Sequence, residues 1–301
     1  MGIPAQDYDL DRIPEGDLYS GWHTLEADLA TIGELQHKEP VRVEGVRGLP
    51  NEYVLLKDAT GTKKAMGRFE ANGRDIAPLR LPEGDIVGIR PLNLEQTFVL
   101  DALLNDNIKL VTLTGKAGTG KTLLAVAAGL YKVFAEDVYH RLLVFRPTMP
   151  VSRDIGFLPG DVQEKMRPWM QPVYDALELI REQDRRSSKR ALPPDILECE
   201  EISIEPLTYI RGRSIPNQYM IIDEAQNLTP LEVKTIITRV GIGTKIVLTG
   251  DPHQIDNPYV DALSNGLIFT VEKFRQNDLS AHISLVKGER SQLAETAANL
   301  L

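Results

Sequence analysis

Gly115-Lys116-Ala117-Gly118-Thr119-Gly120-Lys121-Thr122 meets every fixed position of the phosphate-binding P-loop pattern. An apolar, strand-like run, Ile108 to Thr114, precedes it, and strong helix formers, Leu123 to Leu130, follow it. That order of strand, loop and helix is what the chemistry requires. Glycine lets the backbone turn tightly and approach phosphate closely. Successive N–H groups and the helix amino terminus then face the anion. In that setting Lys121 would reach the β- and γ-phosphates of a nucleotide, and the Thr122 hydroxyl would ligate Mg²⁺. The plain alternative is a glycine-rich turn before an ordinary helix, which does not call for all the fixed positions together with both flanks.

Working outward, strands and helices alternate from about Pro91. Strand candidates are Ile108–Thr114, Arg141–Phe145, Ile202–Pro206, Gln218–Ile222, Lys245–Thr249 and His282–Val286, with helical runs between most of them. Such alternation implies an α/β fold, a parallel sheet with helices on both faces. There is no internal repeat, so the chain holds one P-loop core. Residues 1–90 read differently. Short β-like runs, Val41–Val46, Glu52–Lys57, Lys64–Phe69 and Asp85–Ile89, are separated by turn signals such as Asn72-Gly73. They suggest a small β-rich domain, a barrel or curled sheet, with one helix over Thr24–Leu35. Residues 91–301 would form the P-loop domain. Small barrels often bind single-stranded nucleic acid. Tyr53, Phe69, Lys63, Lys64 and Arg68 could serve that end, although core aromatics and solvated lysines are the commoner use of such residues.

The strand Tyr219–Ile222 ends in Asp223-Glu224-Ala225-Gln226. Two acids at the carboxyl end of a buried strand complement a P-loop. Asp223 would hold Mg²⁺ and Glu224 would act as general base on the attacking water. The competing reading makes these acids the amino-terminal cap of a helix over Pro230–Val240. The strand Ile246–Thr249 runs into Gly250-Asp251-Pro252-His253-Gln254, beside the sheet edge where α/β folds bind ligands. Gln254 could touch the γ-phosphate or the attacking water, while His253 reads as a solvated loop residue. Upstream, Gln96 offers the paired donor and acceptor that suit an adenine edge. Asn93 suits a cap for a helix over Thr97–Leu104, and the two roles are compatible.

Composition bounds the rest. A formal net charge of −9 argues against passive wrapping of nucleic acid, though not against a local groove. The densest basic stretch, Arg181, Arg185, Arg186, Lys189 and Arg190, reads first as a solvated loop. Asp7, Asp9 and Asp11 fail as a calcium loop, because Arg12 stands where Gly is needed and Leu18 where a bidentate Glu is needed. The longest apolar run, Leu123 to Tyr131, is too short to cross a bilayer. The first residues lack a basic flank and an apolar stretch, so no signal peptide is expected. With Cys199 as the single cysteine, a cytoplasmic protein is the expectation.

The order and spacing of these stretches are similar to those of superfamily 1 helicases, and the chain resembles the PhoH-like ATPase family more closely still. The residues that carry the resemblance are Pro91–Gln96, Gly115–Thr122, Arg146-Pro147, Gly156–Asp161, Arg211-Gly212-Arg213, Asp223–Asn227, Gly250-Asp251-Pro252 and the tail Lys287–Ala294. The resemblance spans about Pro91 to Leu301. It implies a RecA-like ATPase acting on RNA, a helicase-like motor. Longer members of the family carry a PIN ribonuclease domain before the ATPase. Residues 1–90 look too short for one, so nuclease activity is not assigned. Arg146, Pro147 and Thr148 match a region that often contacts the nucleic-acid backbone in related motors. A different reading is a nucleotide-gated assembly or scaffold ATPase that switches a protein partner. A small-molecule kinase fits poorly, because kinases need a substrate lid and no such acid pair. Only 47 residues follow Gln254, too few for a second core that would close the site with an arginine. A neighbouring subunit is then the simplest source of one, which implies a ring, a hexamer by similarity to ring-forming P-loop ATPases. Arg290 is the first candidate for that arginine, with Arg211 and Arg213 next.

Overall fold

The computed structural model describes residues 18–147, 162–187, 190–210 and 215–288, and for 162–167 the backbone alone. The amino-terminal part begins with β1 (Trp22–Glu26), α1 (Leu29–Gln36), β2 (Val41–Arg42), β3 (Tyr53–Lys57), β4 (Lys64–Phe69) and β5 (Asp75–Pro78). The strands form one sheet in the order β1-β3-β4-β5-β2. Several expectations for this part differ, among them Val41–Val46, of which only Val41–Arg42 pairs before a turn with positive φ at Gly45. Thr24–Glu26, expected in the helix, belongs instead to the strand Trp22–Glu26, because that segment pairs in parallel with all of β3. The helix starts only where Asp28 accepts a hydrogen bond from Thr31 N at 2.8 Å. Asp85–Ile89 is no strand: Ile86 and Ile89 exchange both backbone bonds across a tight turn with positive φ at Val87 and Gly88. The short β5 has no apolar alternation that would reveal it.

β3 is buried on both faces. Val54 and Leu56 pack toward α1 with Ile32, Leu35 and Phe69. Tyr53 points the other way and stacks on Phe98, with ring centroids 4.9 Å apart. Tyr53 and Phe69 are therefore core residues, and Arg68 pairs with Asp101, so none of the three is a free stacking or charge platform.

The remaining elements are α2 (Leu94–Leu104), β6 (Leu110–Gly115), α3 (Lys121–Leu130), β7 (Arg141–Arg146), α4 (Val162–Arg186), β8 (Ile202–Pro206), β9 (Gln218–Ile222), α5 (Pro230–Ile237), β10 (Lys245–Gly250), α6 (Gly266–Phe274) and β11 (Ser280–Leu285). All six expected strands join one sheet in the order β11-β6-β10-β9-β7-β8, and every pairing is parallel. Strand residues alternate between two cores. Val111, Leu113, Val144, Tyr219, Ile221 and Val247 face a core shared with α2, α3 and α4. Leu110, Phe145, Met220, Ile222 and Leu248 face one shared with α5 and α6. A sheet covered on both faces is what near-continuous apolar strands predict. Arg181, Arg185 and Arg186 lie on α4 and not in a loop, because Leu177 and Ile180 are buried and carry the helix through them.

One polar network ties the two parts together, and a second lies within the P-loop part. Asp101 on α2 accepts from Tyr53 Oη at 2.9 Å and Arg80 N at 2.8 Å, and Asn51 Nδ2 donates to the carbonyls of Asp278 and Ser280. Lys245, wholly buried on β10, donates to the carbonyls of Ala102, Asn105 and Ile108, each at 2.8 Å. Its three N–H groups satisfy carbonyls left over at and beyond the end of α2. Burial pushes the Lys245 ammonium well below the usual lysine range.

His282 on β11 supplies a pH dependence. Its Nδ1 lies 3.1 Å from the Thr112 carbonyl oxygen, and burial lowers its pKa to about 4. The unfolded chain, at the ordinary 6.5, takes up the proton first. The His282 contribution is therefore full above pH 6.5 and is lost as pH falls through about 4. At about 1.4 kcal/mol for each tenfold change in proton affinity, the loss approaches about 3 kcal/mol. Urea-midpoint profiles from pH 8 to 4 for the wild type and His282→Gln are expected to diverge below pH 6.5, with the variant flatter. Parallel profiles would remove His282 as the cause.

Candidate nucleotide site

The site lies at the carboxyl ends of β6, β9 and β10, which the parallel pairing brings level. Thr114 stands opposite Gly250. Gly115 has φ 151°, and a Cβ there would run into the Leu285 carbonyl. Gly120 has φ 91° and leads directly into α3. These conformations favour glycine, and they turn the loop back over the helix start. Within it the Lys121 ammonium donates to the carbonyls of Gly115 at 2.6 Å and Lys116 at 3.0 Å.

Asp223 leaves β9 nearly buried. One of its carboxylate oxygens accepts from Thr122 Oγ1 at 2.9 Å and from Thr249 Oγ1 at 2.6 Å. The alternative role as a helix cap is ruled out for both acids. Thr229 caps α5 in a capping box with Glu232, and Pro230 opens the helix. Glu224 follows in the left-handed region, φ 56° and ψ 39°. Its Oε1 accepts from Arg146 Nη2 at 2.8 Å and its Oε2 from Gln226 Nε2 at 2.6 Å. Arg146 Nη1 also donates to the Trp169 carbonyl on α4 at 2.6 Å.

Lys121, Thr122, Asp223, Glu224 and Gln254 all line one cleft of about 440 Å³, together with Ala117, Gly118, Gly120 and residues of α4, among them Pro172 and Asp175. Thr122 and Asp223 present a hydroxyl and a carboxylate oxygen side by side, a hard-oxygen pair that fits Mg²⁺. Among the described residues no group of three or more His, Cys, Asp or Glu could hold a metal alone.

Gln96 is buried beside the loop. Its Oε1 accepts from Leu92 N at 2.8 Å and its Nε2 donates to the Thr119 carbonyl at 3.2 Å, so both ends of the amide brace the loop, and Gln96 does not line the cleft. Asn93 caps α2 by accepting from Gln96 N at 2.9 Å. Glu95 was missed in the sequence reading: its Oε2 accepts from Val286 N at 2.8 Å and Lys287 N at 3.2 Å and ties the chain after β11 to α2. Gln226 was also missed. It is fully buried, its Nε2 donates to Glu224 and to the Gln254 carbonyl at 2.8 Å, and its Oε1 accepts from Asp251 N at 3.2 Å. Its place two residues after the acid pair is the one signal that could have found it. Asp7, Asp9, Asp11, Thr148, Gly156–Asp161, Arg211, Gly212, Arg213 and Arg290 lie outside the described residues. No described helix is long and apolar enough to cross a membrane.

The family described as "PhoH-like protein" matches residues 88–300. The chain is 47% identical over 306 residues to "Protein PhoH2" of Bacillus subtilis (strain 168), covering 100% of this chain and 69% of that protein. It is 34% identical over 307 residues to "Protein PhoH2" of Mycolicibacterium smegmatis, covering 100% and 66%. The chain thus spans about two thirds of the length of these relatives. Among solved structures, the Sulfolobus solfataricus SWI2/SNF2 ATPase core in complex with dsDNA is 16% identical with a TM-score of 0.38, covering 63% of this chain and 37% of that one.

Gly250→Ala tests the Gln226 contact. A Cβ at Gly250 would overlap Gln226 Oε1 and press on Leu267. Displacing Gln226 would loosen Glu224 and Gln254 together. ATP turnover of Gly250→Ala is expected to drop roughly tenfold or more, with a smaller change in KM. Wild-type kcat in a folded variant would show that Gln226 does not hold the site.

Proposed function

The chain belongs to the PhoH-like protein family, and on that footing we propose that it hydrolyses ATP with Mg²⁺ and couples hydrolysis to RNA as a helicase-like motor. The observation that carries the ATPase part is the meeting of Lys121, Thr122, Asp223, Glu224 and Gln254 on one cleft. In this reading Lys121 and the amides of residues 115–122 hold the triphosphate, and Gln96, whose amide braces the loop, would meet the adenine by exchanging those bonds. Thr122 and Asp223 hold Mg²⁺, which would screen phosphate charge. Glu224 takes the proton of the attacking water. Gln254, joined to Glu224 through Gln226, relays loss of the γ-phosphate. RNA is the proposed partner, supported by the family resemblance and by Arg146 at the carboxyl end of β7. The proposed location is the cytoplasm.

The steady-state test separates this from a scaffold ATPase that switches a protein partner. ATP hydrolysis is expected to rise with RNA, and the RNA concentration needed is expected to increase several-fold between about 50 and about 200 mM salt. Hydrolysis indifferent to RNA would favour the scaffold. Lys121→Ala is expected to weaken nucleotide binding. Glu224→Gln, nearly isosteric, is expected to keep ATP bound while hydrolysis falls by roughly two or more orders of magnitude. Normal turnover in Glu224→Gln would end the general-base role.

The working form in this proposal is a ring, a hexamer, in which Arg290 reaches the neighbouring site. Lys121→Ala subunits that retain Arg290 are expected to restore hydrolysis when mixed with Arg290→Ala subunits. A fully active monomer in sedimentation would rule the ring out.

A further inference from the structure

We propose that Arg146 is a positioning residue that holds the general base Glu224 back, and that a phosphodiester anion releases it by drawing the Arg146 guanidinium away. The anion's identity as RNA rests on the function proposed above. The geometry begins with the carboxylate. Both oxygens of Glu224 already accept protein N–H groups, Oε1 from Arg146 at 2.8 Å and Oε2 from Gln226 at 2.6 Å. A general base must turn a lone pair toward its water. The guanidinium on Oε1 opposes that turn, whereas the buried amide on Oε2 keeps the carboxylate at the cleft. Of the two grips, the amide is locked. Gln226 is fully buried and bonded to Gln254 and Asp251 as well. Release must come from the arginine.

Arg146 is built to let go in response to a second ligand. Glu224 lines the nucleotide cleft, whereas Arg146 approaches it from the end of β7 and does not line that cleft. Its side chain keeps 17% of its surface exposed. What competes with a carboxylate for a guanidinium is another oxyanion, and phosphodiester oxygens match the planar fork. The second bond of the fork, to the Trp169 carbonyl, places the same event on α4, whose Pro172, Asp175 and Leu179 line the cleft wall. One exchange of partners would therefore free the base and unpin the cleft wall together.

The test is basal turnover, without RNA, of Arg146→Ala and Arg146→Lys beside the wild type, with melting curves to confirm folding. Arg146→Ala is expected to hydrolyse ATP about tenfold faster than wild type with KM for ATP little changed, and to gain nothing further from poly(U). Arg146→Lys, which keeps the charge but replaces the planar fork with one ammonium nitrogen, is expected to fall between. A folded Arg146→Ala with unchanged or lower basal kcat overturns the proposal; the lower value would instead mark Arg146 as an arginine that serves the transition state. A second readout does not depend on the Arg146→Ala fold. The chain has two tryptophans, so Trp22→Phe leaves Trp169 as sole reporter. Poly(U) without nucleotide is expected to shift its emission, and emission that stays fixed while poly(U) speeds turnover also overturns the proposal. If poly(U) changes neither emission nor turnover, the RNA reading fails, and the basal rates still decide the role of Arg146.

Discussion

A single carboxylate oxygen of Asp223 holds the site together. The P-loop strand β6 and the acid-bearing strand β9 are not neighbours, because β10 lies between them. Asp223 spans the gap by accepting the hydroxyls of Thr122, at the start of α3, and Thr249, on β10, while its own N–H donates to the Phe145 carbonyl on β7 at 2.9 Å. A nearly buried carboxylate without such partners would be strongly disfavoured, so the bonds are obligatory and not ornamental. They set the height of the loop against the sheet. The parallel register then sets everything else, since Ile222 stands opposite Leu248 and Gly250 opposite Thr114, which brings the ends of β9, β10 and β6 together.

Directly after this fixed point the chain does something costly. Glu224 sits at φ 56°, a left-handed conformation that a residue with a Cβ adopts at a cost of about 1–3 kcal/mol. The reversal lets adjacent residues aim differently: Asp223 into the sheet and Glu224 along the cleft and toward Arg146. Gln226 then fills the corner against Gly250, where no side chain fits. The turn after β9 and the loop after β10 are thus one unit, and a movement in either must be shared.

Sequence legibility followed the reach of each interaction. The octapeptide, the acid pair and all six core strands were readable because their signals are local: fixed glycines, a lysine and a threonine, and apolar runs covered on both sides. The amino-terminal sheet was read less well. Trp22–Glu26 becomes a strand only by pairing with β3, twenty-seven or more residues on, and Asp75–Pro78 only by lying between β4 and β2. Gln226, Glu95 and Lys245 were invisible for a similar reason. Their bonds run to Gln254, Val286 and Ala102, and nothing near them in the chain announces those partners. The Arg181–Arg190 stretch misled in the other direction, since charge masked a helix whose buried face continues past Ile180 with a polar residue, Asp184.

The rim of the six-stranded sheet has a geometric consequence. β11 is its last strand on one side, yet Ser284 N donates to the Ser20 carbonyl at 2.9 Å, and Gly21 lies so close to the His282 carbonyl that a Cβ would not fit. That rim is closed by the chain itself. Among the described residues β8 alone is left with an outward edge, since it pairs only with β7. Strand addition through one shared edge joins a molecule to its copy about a twofold axis and stops at two. An assembly of more members needs two different faces of each molecule, which this edge by itself does not supply. The backbone ladder of the core sheet therefore ends within the subunit on one side and limits what the other side can propagate.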